Sequence, residues 1–193
     1  SISPRRKCHV SLSPFSPKPH TPFQWEPMAT VEYLQSTSAH IKASCRTLKN
    51  TKISYRSPFM AFLETVMARA DRRMGAVIYR AWQTGARFDG WDEFLSRERW
   101  YEAAREVGLS LDRYADSYAL DEPLPWGVIS TGVSDAFLRR EREKAYRREA
   151  TKDCRDGTCS GCGVCSGEKL KTVSALVEEP APQKPSSPPK RRN

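Results

Sequence analysis

Between residues 58 and 84 the apolar side chains return with the period of an α-helix twice over. Phe59, Phe62, Leu63, Val66 and Met67 stand at i, i+3, i+4, i+7 and i+8, and Met74, Val77, Ile78, Ala81 and Trp82 repeat the spacing. A helix of 3.6 residues per turn gathers such positions on one face, whereas a strand would scatter them over both. Ser57-Pro58 supplies a start, because proline at the first helical position gives up an N–H that has no partner there. Gly85 supplies an end, as the left-handed residue that commonly follows a helix. Between the two runs, Arg69-Ala70-Asp71-Arg72-Arg73 breaks the apolar pattern. The expectation is a helical hairpin with a charged corner, forming the core of the fold.

Other segments are read against that hairpin. Ser96 and Gly108 bracket a helix over 97–107 whose buried face is Trp100, Tyr101, Ala104 and Val107. Ser134 caps a helix over 134–150 with a thin apolar stripe of Phe137, Leu138, Ala145 and Tyr146. Its Arg139–Glu143 and Glu143–Arg147 pairs, four residues apart, suit a solvated helix. Residues 30–48 are weakly helical, with Val31, Leu34, Ile41 and Leu48 as apolar points. Residues 10–15 alternate apolar and polar and read as a short strand that Pro14 limits; 52–55 read as another. Five prolines between 14 and 27, with Phe15, Phe23 and Trp25 among them, predict an extended segment packed against the body. Residues 120–131 form an irregular connection, Asp89-Gly90-Trp91 reads as a turn with an anchoring indole, and no internal repeat is present. The fold class is therefore mainly α.

Four cysteines crowd the twelve residues 154–165 in the order C-R-D-G-T-C-S-G-C-G-V-C. Thiolates this close can converge on one ion or cluster, and Gly157, Gly161 and Gly163 allow the backbone to fold back between them. Structural zinc usually takes two C-x2-C pairs set a dozen or more residues apart, and no such spacer exists here. The run Cys159, Cys162, Cys165 repeats the C-x2-C-x2-C spacing of bacterial ferredoxins, and Cys154 with Cys159 gives the C-x4-C of plant-type ones. An iron–sulfur centre on Cys154, Cys159, Cys162 and Cys165 is the leading reading. Zinc is the alternative, and a redox-active thiol pair or disulfide is the third. Cys8 and Cys45 read as ordinary thiols.

Composition bounds the function classes. The 193 residues leave room for one core of roughly 120 to 150 residues plus tails. No apolar run approaches the ~20 residues that a membrane-spanning helix needs. The first ten residues carry charge but no apolar stretch of the signal-peptide kind, and clustered cysteines without such a leader point to a reducing cytoplasm. The chain opens without methionine, which suggests a piece of a longer protein. The net charge of +9 is spread so that residues 8–165 hold 23 basic against 20 acidic side chains, with the remainder at the two ends. A basic face that would grip phosphates is thus not indicated, and nucleic acid is a disfavoured partner. Residues 167–193, rich in Pro, Ser, Lys and Glu, are expected to be disordered. No Ser–His–Asp, paired-carboxylate or phosphate-loop pattern occurs.

Four blocks then carry a resemblance. V-S-L-S-P-F-S-P-K-P-H-T-P-F-Q-W, from Val10, resembles the segment that closes the catalytic barrel in a family of cobalamin-binding radical SAM proteins. The methylthiotransferase branch carries the looser S-P-R-P-G-T-P. M-A-R-A-D-R-R-M-G-A-V-I-Y-R-A-W-Q-T-G-A-R-F-D-G-W, from Met67, is similar to the helical region after that barrel. T-G-V-S-D-A-F-L-R-R-E-R-E-K-A and the terminal cysteine run complete the series in the family's order. The resemblance implies a barrel end over 1–27, a helical C-terminal region over 28–150, a Cys-rich metal loop over 151–166 and a tail over 167–193. It implies S-adenosylmethionine, a 4Fe–4S cluster and cobalamin as cofactors of the full-length enzyme, with the remaining barrel and a cobalamin domain as partners. The C-x3-C-x2-C motif that holds the SAM-cleaving cluster is absent from this sequence, as is a cobalamin-domain pattern. Alone, the chain would therefore not generate a radical. Where the family often has Gly before D-R-R this chain has Ala70, which argues against a left-handed residue there.

By the resemblance, Lys18, His20, Arg72 and Arg73 are candidates for the substrate side. From the residues alone, His20 reads as a hydrogen-bonded loop histidine, and Asp71-Arg72-Arg73 as either an anion clamp or a salt-bridged helix corner. No catalytic residue is assigned. Two functions follow: the C-terminal portion of a cobalamin-dependent radical SAM enzyme of unidentified substrate, or a zinc-stabilised helical adaptor or RNA-binding module.

Overall fold

Strand β1 (Cys8–Leu12) runs parallel to β2 (Thr51–Tyr55), in register from Cys8 opposite Thr51 to Leu12 opposite Tyr55. The computed structural model describes residues 7–154 and 159–165. Parallel strands need a long crossover, and it is supplied by the proline-rich segment and helix α1 (Val31–Ser44). Thr30 caps α1, its hydroxyl accepting from the Tyr33 N–H at 3.2 Å. Only Val31 of this helix is buried, which accounts for the weak apolar pattern. β1 stops two residues before Pro14, earlier than the alternation suggested, and residues 19–26 fold as successive turns rather than an extended run. Pro17, Gln24 and Trp25 of that segment are buried; Phe15 is exposed, with its edge against Phe23.

Helices α2 (Pro58–Arg69), α3 (Met74–Gln83) and α4 (Arg97–Val107) form at the expected places. Ser96 accepts from the Arg99 N–H, and Gly108 ends α4 in the left-handed conformation. α5 (Leu111–Ala115), too short to show a period, follows at once. The hairpin expectation is corrected in one respect: α2 lies chiefly against α5 and α1, while α3 lies chiefly against α4. Phe59, Phe62, Leu63 and Val66 are buried with Met74, Val77, Ala81, Trp100, Ala104 and Leu111 in the main core. Ile78 and Trp82, assigned to the buried face, are 46% and 50% exposed. A helix packed on one neighbour buries only the narrow i, i+3, i+7 stripe, and Met74, Val77 and Ala81 fill it. Trp91 is likewise 58% exposed; the indole that fastens this turn belongs to Trp100, which donates to Asp89 Oδ2 at 3.0 Å. Ala70 has φ −74°, outside the left-handed region.

A smaller cluster of Trp25, Tyr118, Trp126 and Leu138 joins the proline-rich segment to helix α6 (Asp135–Tyr146) and to the connection before it. The link between the two cores is Arg69. Read as part of a charged corner, it is in fact fully buried. Its guanidinium donates to the carbonyls of Glu26, Gln24 and Asp116 at 3.1, 3.3 and 3.0 Å and lies over the rings of Tyr118 and Trp126. Burial draws its pKa down from the ordinary arginine value, the largest influence on it, while Tyr118 and Asp116 oppose that shift. α6 also departs from its expected pairing. Arg139 lies over the Trp25 ring, Arg142 reaches Glu26 at 2.6 Å, and Arg147 reaches Glu149. The described chain is mainly helical, and no described helix is long and apolar enough to cross a membrane. The tail expectation for 167–193 lies outside the described residues.

Candidate functional site

The described part of the cysteine loop sits on the start of α6. Ser134 caps that helix, its hydroxyl accepting from the Phe137 N–H, while its own N–H donates to the Cys162 carbonyl at 2.8 Å. Arg140 donates to the Ser160 carbonyl at 2.6 Å. Gly163 has φ +99°, and a Cβ there would stand 3.0 Å from the Gly132 carbonyl, so only glycine allows this approach. Gly161, at φ +69°, donates its N–H to Cys159 Sγ at 3.4 Å. The positive end of the α6 dipole, onto which the loop folds, favours negative charge.

Cys162 is half-buried, Cys159 and Cys165 are exposed, and all six cysteines are free thiols. Cys154 follows α6 and is exposed; residues 155–158, which connect it to Cys159, lie outside the described ones. Among the described residues no three Cys, His, Asp or Glu side chains stand close enough together to hold a metal ion. The donor set is that of a soft metal or an iron–sulfur centre. The described backbone brings the loop to one helix end without gathering its sulfurs.

The four candidates for the substrate side are dispersed. Lys18 pairs with Glu64 of α2 at 2.7 Å, and Arg56 takes the other oxygen of that carboxylate at 2.6 Å. The Lys18 hydrogen bond, more than any other influence, holds the Glu64 carboxyl below its usual range. His20 has φ +57°, a left-handed conformation costing about 1–2 kcal/mol for a non-glycine residue. Its N–H donates to Gln24 Oε1 at 2.8 Å, which holds the turn. Arg73 grips Asp71 with two nitrogens, and Tyr114 donates to the same carboxylate at 3.1 Å. These bonds, with Arg73 first, hold the Asp71 pKa at about 2. Arg72 is exposed.

Gln24, Trp126 and Arg69 were not singled out by sequence, and each is central here. Gln24 Oε1 accepts from Trp126 Nε1 at 2.8 Å as well as from His20, tying the proline-rich segment to residues 102 positions later. A glutamine between aromatics in a segment full of prolines was the available signal. Of the four candidates, only His20 borders the cavity that opens beside this glutamine. Compared with protein-family models, curated proteins and solved structures, the chain matches none.

Proposed function

We propose that this chain acts as the C-terminal portion of a cobalamin-dependent radical SAM enzyme, and that its cysteine loop holds an auxiliary iron–sulfur centre. The observation that carries the reading is the C-x4-C-x2-C-x2-C run on a loop whose carbonyl at Cys162 is fastened to the cap of α6. The parallel pairing of β1 and β2 through a helical crossover supports it, since this is the unit from which such barrels are built. Cys154, Cys159, Cys162 and Cys165 are the residues that would hold the centre. When bound, it would supply one-electron chemistry or a coordination site for substrate. This chain's own contribution is to cover the barrel end with helices and to anchor the loop. SAM cleavage would belong to cysteines outside this sequence.

Metal analysis of anaerobically purified protein tests this. Iron and sulfide, with broad absorption near about 400 nm, are expected. Cys162→Ser should abolish that absorption and leave the helical circular dichroism nearly unchanged, because the loop lies beyond the packed helices. One equivalent of zinc and no iron would overturn the iron–sulfur assignment in favour of a zinc-stabilised helical adaptor.

A further inference from the structure

Five large rings gather on the outside of one stretch of chain. Tyr79, Trp82, Phe88, Trp91 and Phe94 are each half or more exposed. Tyr79 stacks on Trp82, and Arg87 lies over the Trp82 ring. The next residue, Phe88, meets both Trp91 and Phe94 with ring centroids 6.0 Å apart. Together these rings present on the order of 500 Å2 of apolar surface, at the upper end of what a monomer commonly exposes.

The backbone holds the second group of rings in place. The Trp91 N–H donates to the Phe88 carbonyl and the Phe94 N–H to the Trp91 carbonyl, at 3.0 and 3.1 Å. Phe88 has φ +57°, a conformation disfavoured for a bulky side chain, yet its ring is 68% exposed. Strain that buries nothing points to a residue held out for contact.

Charge indicates what the contact is with. Asp92 and Glu93 stand between Trp91 and Phe94, exposed and without a partner among the described residues. Arg87, the one cation between Trp82 and Phe94 in sequence, is engaged by the carbonyls of Trp82 and Ala86. Aromatic rings flanked by carboxylates suit a proline-rich cationic segment. Proline rings lie against aromatic faces and lose little freedom on binding, while lysine and arginine meet the acids. The same carboxylates repel an anionic surface. The chain's own sequence supplies such a segment. Residues 180–193, P-A-P-Q-K-P-S-S-P-P-K-R-R-N, hold five prolines and four cations with no acidic side chain. The fourteen residues 166–179 that join it to Cys165 can span about 50 Å, more than the roughly 40 Å across a body of this size.

We propose that residues 180–193 dock on the aromatic platform of their own chain, prolines against Trp82, Phe88 and Trp91 and cations against Asp92 and Glu93. The contact is independent of the cysteine loop and needs no metal.

The Trp91 indole N–H reports on it in a nitrogen-15 correlation spectrum of the full chain, and Trp91→Phe assigns that resonance by its loss. The comparison is a full-length variant with Lys184, Lys190, Arg191 and Arg192 all changed to serine. The Trp91 resonance is expected to differ between the two at every protein concentration, and those of the buried Trp25, Trp100 and Trp126 are not. A free peptide of residues 180–193, added to the variant, should move Trp91 saturably towards its parental position. Asp92→Asn with Glu93→Gln should weaken that peptide about fivefold by removing two exposed ion pairs. Changing the five prolines of the peptide to alanine should weaken it at least as much. Identical Trp91 resonances in parent and variant, or no saturable shift with the peptide, would overturn the proposal. So would a difference that disappears on dilution, which would give the platform to a second copy. Peptide affinity unchanged by both sets of substitutions would overturn it equally.

Discussion

Arg69→Met tests whether one buried guanidinium holds the two cores together. The substitution keeps much of the side-chain length and removes every donor. It leaves the carbonyls of Gln24, Glu26 and Asp116 without the bonds they accept at 3.0 to 3.3 Å. A buried carbonyl left unpaired costs about 1–3 kcal/mol, a penalty that falls in full on Gln24 and in smaller part on Glu26 and Asp116, which lie nearer the surface. Against that, removing the charge relieves a desolvation penalty of several kcal/mol. The net loss expected is about 3 kcal/mol, which in a chain of this size lowers Tm by roughly 6–12 °C. Arg69→Lys keeps the charge but not the planar fork that serves three carbonyls and lies over two rings, so about half of that loss should remain. The assay is denaturant unfolding followed in parallel by far-ultraviolet circular dichroism and tryptophan fluorescence. In Arg69→Met the fluorescence of Trp25 and Trp126 should shift to the red before the helical signal falls, because the smaller cluster loses its tie first. A Met variant within about 0.5 kcal/mol of the parent, the range of an ordinary surface change, would refute the reasoning.

Four further outcomes are expected. Phe62→Ala, which removes a buried ring stacked on Phe59 and Tyr101, should cost about 3–5 kcal/mol in thermal or denaturant unfolding. Asp71 has its folded pKa depressed from 3.8 to about 2, so its contribution is present above pH 4 and is lost as pH falls towards 2; Asp71→Asn should flatten that acid limb. Tyr101 is raised from 10.0 to about 12, first by burial and then by donating to Asp112, so its contribution is lost as pH climbs from 10 to 12, as Tyr101→Phe should show in an alkaline melt. Finally, a chain ending at Ser166 should fail to bind RNA tightly at physiological salt, since its folded part is nearly balanced in charge; strong, salt-sensitive binding would contradict this.

What was legible in the sequence was local. Ser96 and Gly108 delimit α4 to the residue because a cap hydroxyl and a left-handed glycine act on backbone groups a few positions away. The period of α2 was equally plain, since seven of its side chains besides Pro58 are buried. What stayed hidden depended on distant partners. Ile78 and Trp82 fit the helical template and are exposed, because the width of the buried stripe is set by α4 rather than by α3 itself. Arg69 is buried because carbonyls 43 to 47 positions away converge on it, and nothing in its neighbourhood in sequence announces them. The candidate ligands of the loop were readable from their spacing. The anchoring of that loop through Cys162 and Ser134 was not, since it joins residues whose sequence shows no relation.

The two strands carry a consequence for how the isolated chain would behave in a tube. Among the described residues β1 and β2 pair only with each other, so each offers its outer rim of N–H and C=O groups to the surroundings. Parallel sheets normally lie inside a layered fold, with neighbours on both sides. A bare rim is a template for another strand, and two molecules can satisfy each other along it. Concentrated stocks should therefore gain intermolecular β-structure over time. A peptide that caps either strand should keep them monodisperse, turning shelf life into a measure of how far these rims recruit other strands.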